Sequence, residues 1–281
     1  MRAQTDKTVL ITGSTDGVGR MVATRLGAAG ARVLVHGRDM ARGDEVVKEI
    51  VAGGGTAEFL EADLSVLGEV RNLADAVQRN TDRLDILINN AGIGSAGADG
   101  IRQTSADGHE LRFAVNYLAG FLLTQSLLPL LKQSAPARIV NVASVGQQPL
   151  DFADIMLTRG YSGTRAYCQS KLAQILFTID LAEELRGSGV TVNALHPATY
   201  MDTTMVRQSG AKPRSTVDEG AEAILNLAVS PALEGRTGLY FNGLRESQAD
   251  AQAYEANARR RLKAVSLELT GLPPAPASRR G

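Results

Sequence analysis

Short apolar runs recur at Thr8 to Ile11, Arg32 to Val35, Ala57 to Leu60, Ile86 to Ile88, Arg138 to Val142 and Val190 to Leu195. Between them, apolar residues return at helical period, so the chain reads as strand and helix in alternation. Several runs are apolar at every position, as strands covered on both faces of a parallel sheet must be. The expected fold is α/β: one doubly wound domain with a central parallel sheet of about seven strands and helices on both faces. Gly53-Gly54-Gly55 reads as a helix end before the third strand. Tyr117 to Leu131 is the most apolar stretch, but Thr124, Gln125, Ser126 and Pro129 interrupt it. It is shorter than the roughly 18 residues a membrane span needs and is expected to be a buried core helix.

No Pro/Gly/Ser-rich linker divides the chain before residue 265, so residues 1–265 are expected to form one domain. The remainder, 266–281, ends in Pro273-Pro274-Ala275-Pro276-Ala277-Ser278-Arg279-Arg280-Gly281 and is expected to be flexible.

The chain has 281 residues, 44% of them apolar, enough for a sizeable core. Thirty basic residues balance thirty acidic ones, which argues against a nucleic-acid partner. Met1 to Val9 is polar, so neither signal nor anchor is expected there, and a cytoplasmic location follows as the expectation. Cys168 is the single cysteine and belongs to no ligand cluster, so no metal is expected.

The first strand runs into Thr12-Gly13-Ser14-Thr15-Asp16-Gly17-Val18-Gly19, and a helical segment follows. Glycines between strand and helix permit a tight turn and let a pyrophosphate approach the backbone at the helix N-terminus. A Rossmann dinucleotide site is expected here. At the end of the second strand an NAD site normally carries a carboxylate, whereas this chain has Gly37 and then Arg38. A permanent guanidinium suits the 2′-phosphate of NADP(H). The competing reading makes Arg38 a solvated turn residue and brings Asp39 to the ribose of NAD. Asp63 and Asn89-Asn90-Ala91-Gly92 follow the third and fourth strands, where open sheets bind ligands. Either could instead be a cap or a turn.

Tyr167 and Lys171 stand one helical turn apart and so share a helix face. An ammonium beside a phenol favours phenolate, which would make Tyr167 a general acid/base near neutrality. Ser144 follows the fifth strand, where its hydroxyl could meet a substrate carbonyl. Taken alone, a Tyr and a Lys at this spacing also fit a solvated face. Tyr161 has Arg165 four residues on and is the poorer match. His36, His109 and His196 show no evident partners, and Cys168 reads as packing.

Together, Thr12-Gly13-x-x-x-Gly17-x-Gly19, Asn89-Asn90-Ala91-Gly92, Ser144 and Tyr167-x-x-x-Lys171 resemble the short-chain dehydrogenase/reductase family over about residues 7–245. The long Ser144 to Tyr167 interval resembles its retinol-dehydrogenase-like branch. The resemblance implies a fourth catalytic residue, Asn116, holding a proton-relay water toward Lys171. It implies that Asp63, with Leu64 beside it, meets adenine, that Asn89, Ala91 and Gly92 lie near the cofactor, and that Lys171 touches the nicotinamide ribose. Pro197 and Thr199 would flank the nicotinamide, with Ala198 where the family usually has glycine. It further implies NADP(H), an apolar alcohol or carbonyl substrate, and a homodimer or homotetramer paired through Ser105 to Leu131 and Ser162 to Arg186. Tyr200 to Thr216 would form a substrate lid. Its Met201, Met205 and Val206 either line the substrate or pack the lid onto the body. A catalytically silent NADP(H)-binding regulator is the competing function. Epimerase or dehydratase chemistry and enoyl reduction fit the glycine and Tyr-to-Lys spacings less well.

Overall fold

The computed structural model describes residues 4–95, 101–208 and 210–273. Its centre is a sheet in the order β3-β2-β1-β4-β5-β6-β7-β8. The first six strands are β1 (Thr8–Ile11), β2 (Arg32–Gly37), β3 (Thr56–Glu61), β4 (Ile86–Asn89), β5 (Ala137–Val142) and β6 (Val190–His196), all parallel. Helices α1 (Gly17–Ala28), α2 (Met40–Ala52) and α3 (Leu67–Asn80) connect the early strands. The first expected Gly-rich helix end is real, since Gly53 closes α2.

The unbroken apolar runs have a simple cause. Successive side chains point to opposite faces, so Val9, Ile11, Val33, Val35, Ile86 and Ile88 enter one core layer while Leu10, Leu34 and Leu87 enter the other. Both faces are covered, and the active residues can only emerge where the strands end.

Among the described residues the sheet has eight strands, one more than the roughly seven expected. β7 (Tyr240–Asn242) pairs parallel to β6, and β8 (Arg245–Ser247) returns antiparallel beside it. Gly243, at φ +58°, makes the tight reversal between them. Exposed Arg245 and Glu246 give this edge strand no apolar run to read, and charge is how an edge strand resists further pairing.

The apolar stretch around Tyr117 belongs to a longer rod, Leu111–Gln133, made of α4 (Leu111–Phe113), a π turn (Ala114–Leu118) and α5 (Ala119–Gln133). At 23 residues it is long and apolar enough to cross a membrane, contrary to the shorter helix expected. Here it lies against the sheet, with Tyr117, Leu118, Phe121 and Leu122 in the core.

Next come α6 (Gly163–Glu184), capped by Ser162, then α7 (Thr204–Gln208) and α8 (Val217–Val229), whose Thr216 and Glu219 form a reciprocal capping box. The last helix, α9 (Ala256–Thr270), overruns the boundary expected at 265. Its Ser266 is fully buried and its hydroxyl lies 2.7 Å from the Tyr117 hydroxyl. Leu262 joins Tyr117, Phe121 and Phe177 in the same core, and Arg259 pairs with Glu183 on α6 at 2.9 Å. The helix therefore packs on α6 and on the π turn of the Leu111–Gln133 rod, within the two segments through which pairing was expected. The rest of the expected tail, 274–281, lies outside the described residues.

Candidate active site

Gly13 adopts φ +65°, a conformation that L side chains avoid, and a Cβ there would stand 2.9 Å from Ala91 Cα. At Gly19 a Cβ would meet the Gly13 carbonyl oxygen at 2.2 Å. Helix α1 can approach the turn this closely only because Gly19 has no side chain. Ser14 is fully buried and ties the turn to the sheet, donating to Ile11 O at 2.8 Å and accepting from His36 N at 2.9 Å. Thr15 packs against Gly37, where a Cβ would stand 2.6 Å from the Thr15 methyl. Val18 turns into the core. Asp16 caps α1 through Gly17 N at 2.7 Å and accepts from Thr204 on α7, also at 2.7 Å.

Of the two adjacent asparagines, it is Asn90 that meets this turn. Its Nδ2 donates to Thr12 O at 2.9 Å and Gly13 O at 3.0 Å. Asn89, expected near the cofactor, is instead buried in the sheet, donating to Thr124 Oγ1 and Asn141 Oδ1. Nothing in an Asn-Asn pair tells which member faces in; the pleat decides. His36 also has a partner after all. Gly13 N donates to its Nδ1 at 3.1 Å. Burial pushes the His36 imidazole down to about 4, so the ring is neutral and can accept.

At the carboxyl end of β2, Arg38 is 69% exposed and lies 3.7 Å from Asp63. Burial raises the Asp63 carboxyl, but hydrogen bonds from Ser65 and the nearby Arg38 guanidinium outweigh it and hold the group below its ordinary value. Asp39 faces the other way, accepting from Arg42 N at 3.1 Å to cap α2. The Leu64 side chain is in the core, so only its backbone can face a ligand.

Ser144 follows β5, where its Oγ accepts from Gly146 N at 3.0 Å. Tyr167 and Lys171 lie in the first half of α6, on one face as the spacing predicts. Burial pushes the Tyr167 phenol above its ordinary value, and a hydrogen bond with Ser144 pulls it back. Lys171 is buried, which lowers its ammonium to about 7. Its Nζ stands 5.9 Å from the Tyr167 ring centroid and donates to Val142 O at 2.9 Å and Gln174 Oε1 at 3.0 Å. Burial outweighs the Ser144 hydrogen bond, so the Tyr167 phenol stays above its ordinary value.

Asn116 sits in the π turn, a local loosening of helical pairing that is frequent at functional sites. Its Oδ1 accepts from Ile93 N at 2.8 Å, while Nδ2 donates to Ile93 O at 3.1 Å and Ser170 Oγ at 2.9 Å. Gly92 lies between the two groups: a Cβ there would stand 3.2 Å from Asn116 Oδ1 and 3.4 Å from Lys171 Nζ. Asn116, Lys171, Tyr167 and Ser144 therefore converge at the carboxyl edge of the sheet, beside the loop after β4.

After β6, Pro197 O faces Gly243, and Thr199 Oγ1 lies 3.0 Å from His196 Nε2. His196 is thus also partnered; burial and then Lys171 lower it to about 4. In the expected lid, Met201 bridges to Ser215 and packs beneath α8, whereas Met205 stays exposed. Ser209 lies outside the described residues. Sequence spacing did not single out Gln174, and it set Tyr161 aside as the poorer match to the Tyr-to-Lys pattern. Tyr161 instead bonds Glu110 and Arg112, which are distant in sequence and invisible to spacing.

A doubly wound sheet with a glycine turn at its first strand end, together with the family match, makes this an oxidoreductase acting on CH–OH groups with a nicotinamide nucleotide. The chain belongs to the short chain dehydrogenase family, whose sequence profile matches residues 7–214, and to its retinol-dehydrogenase-like branch. It is 37% identical to human retinol dehydrogenase 13, with 95% of this chain and 85% of that protein covered. Against human retinol dehydrogenase 11 it is 38% identical, covering 95% and 86%. A crystal structure of an uncharacterized protein from Mycobacterium paratuberculosis superposes with a TM-score of 0.81 at 29% identity, covering 98% of this chain and 97% of that one. An NADP complex of Pseudomonas aeruginosa RhlG superposes at 0.71, with 30% identity over 85% and 95%.

Proposed function

We propose that the protein interconverts a carbonyl and an alcohol on a small apolar substrate with NADP(H), using Tyr167 as general acid/base. The observation that carries this reading is the convergence of Ser144, Tyr167, Lys171 and Asn116 at one sheet edge, on the same edge as the glycine turn. The turn suits a dinucleotide because Gly13 and Gly19 leave no side chain between backbone and ligand. When bound, the nicotinamide supplies or accepts the hydride.

In carbonyl reduction, Ser144 orients the substrate oxygen and Tyr167 donates a proton to it. The raised phenol keeps Tyr167 protonated before that step, as a donor must be. Lys171 is the adjoining cation. Both N–H donors of Asn116 are taken by Ile93 and Ser170, while its Oδ1, which accepts from Ile93 N, keeps a second lone pair for a relay water. Preference for NADP(H) rests on Arg38 at the end of β2 and on Asp39, which is spent capping α2. An apolar substrate accords with exposed Val145 next to Ser144 and with exposed Tyr200 just after Thr199.

The test is titration with NADPH and NADH, then absorbance of the reduced cofactor against apolar aldehydes and ketones, in parent protein and Tyr167→Phe. Tighter NADPH binding with turnover abolished in the variant is the expected result. Failure to bind either nucleotide would overturn the reading.

A further inference from the structure

Lys171 is held by a residue to which neither the sequence motifs nor the reaction above gives a part. An ammonium carries three donors and no acceptor. Two of them are committed, one to the Val142 carbonyl at 2.9 Å and one to Gln174 Oε1 at 3.0 Å. Gln174 stands three residues further along α6, on the same face as Lys171, and is itself buried. Its own main-chain carbonyl accepts from Thr178 Oγ1 at 2.8 Å, and Thr178 Oγ1 in turn accepts from Asn141 of β5. The side chain that meets Lys171 thus stands on a fixed base.

We propose that Gln174 is a positioning residue for Lys171, its carboxamide oxygen anchoring the ammonium so that the remaining N–H stays turned to the cleft between Gly92 and Tyr167. The inference rests on the oxidoreductase reading, in which Lys171 serves the site from that side. A carboxamide is suited to the task. A hydrogen bond accepted from the charged form favours that form, and a neutral oxygen does so without the strong attraction of a carboxylate, which would compete with the cleft for the ammonium. The titratable groups facing Lys171 are Tyr167 on its own helix and His196 at the end of β6; β5 presents only the Val142 carbonyl and the loop after β4 presents Gly92. Among the described residues no carboxylate pairs with it. The Gln174 oxygen is therefore the side-chain acceptor that sets how firmly Lys171 keeps its proton.

The experiment compares Gln174→Leu and Gln174→Glu in protein carrying 15N at lysine Nζ, with the Lys171 resonance assigned by its loss in Lys171→Met. Its titration midpoint is expected to fall by about one pH unit in the leucine variant and to rise by about one unit in the glutamate variant. The alkaline limb of carbonyl reduction with NADPH should move in the same two directions. If Gln174→Leu lowers melting temperature and leaves the midpoint in place, Gln174 merely packs the helix and the proposal is overturned. An unmoved midpoint in Gln174→Glu overturns it equally. If the resonance moves as expected and the parent protein turns over no carbonyl substrate, the hold on Lys171 stands and the oxidoreductase reading falls.

Discussion

Tyr161 donates its hydroxyl to Glu110 at 2.9 Å, and Arg112 donates to that same hydroxyl at 2.9 Å. Glu110 and Arg112 are buried and 3.6 Å apart, so the phenol completes an ion pair that water does not reach. The other Glu110 oxygen caps Phe113 N, and Arg112 Nε donates to Gly94 O. The hydroxyl thereby ties the segment before α6 to the start of the Asn116 rod, and Arg112 ties that start to the loop after β4. Burial and then Glu110 push its ionisation up to about 12. Tyr161→Phe leaves both charged partners short of a hydrogen bond and should cost about 1–3 kcal/mol of stability. Urea unfolding followed by circular dichroism measures it; an unchanged midpoint would show the network to be dispensable.

Asn90→Ala removes both bonds to the carbonyls of the glycine turn. Affinity for NADPH should fall about tenfold or more, the equivalent of 1.4 kcal/mol or above. Fluorescence titration of the nucleotide decides it. Asn89→Ala, acting on the sheet interior, should chiefly lower melting temperature.

Arg38→Ala tests nucleotide choice. Loss of a charge-assisted bond to the 2′-phosphate should weaken NADPH by roughly 10- to 100-fold, with NADH nearly unchanged. Parallel Kd measurements for both nucleotides give the ratio. Equal losses would reassign Arg38 to holding Asp63.

Acid should destabilise the fold through two imidazoles. Burial lowers His36 and His196 to about 4, whereas both titrate near 6.5 when unfolded. Between those values the unfolded chain binds more protons, so their contribution is complete above about pH 6.5 and is lost as pH falls toward 4. His36→Asn offers an uncharged acceptor to Gly13 N and should flatten part of that slope. Denaturant midpoints taken across this pH range provide the check; parallel curves for parent and variant would exclude His36.

The parallel core was legible because burial on both faces forces unbroken apolar runs, and each of the six runs became a strand. Ser144, Tyr167 and Lys171 were legible because a strand end and one helical turn translate directly into position. The edge strand β8 was not, since exposure leaves it polar. Asn90 and His36 act through bonds to backbone atoms, which leave no mark in the identity of their partners. The Tyr161 network joins residues about fifty positions apart, a distance no periodicity spans.

Helix α9 makes the chain its own neighbour. By settling Ser266 and Leu262 on Tyr117, and pairing Arg259 with Glu183, it covers an apolar surface that would otherwise meet water. Removing α9 would expose Tyr117, Phe121 and Phe177 together. The C-terminal segment would then govern solubility: a chain cut before Ala256 bares Tyr117, Phe121 and Phe177 and should aggregate more readily than the whole chain, as light scattering would show.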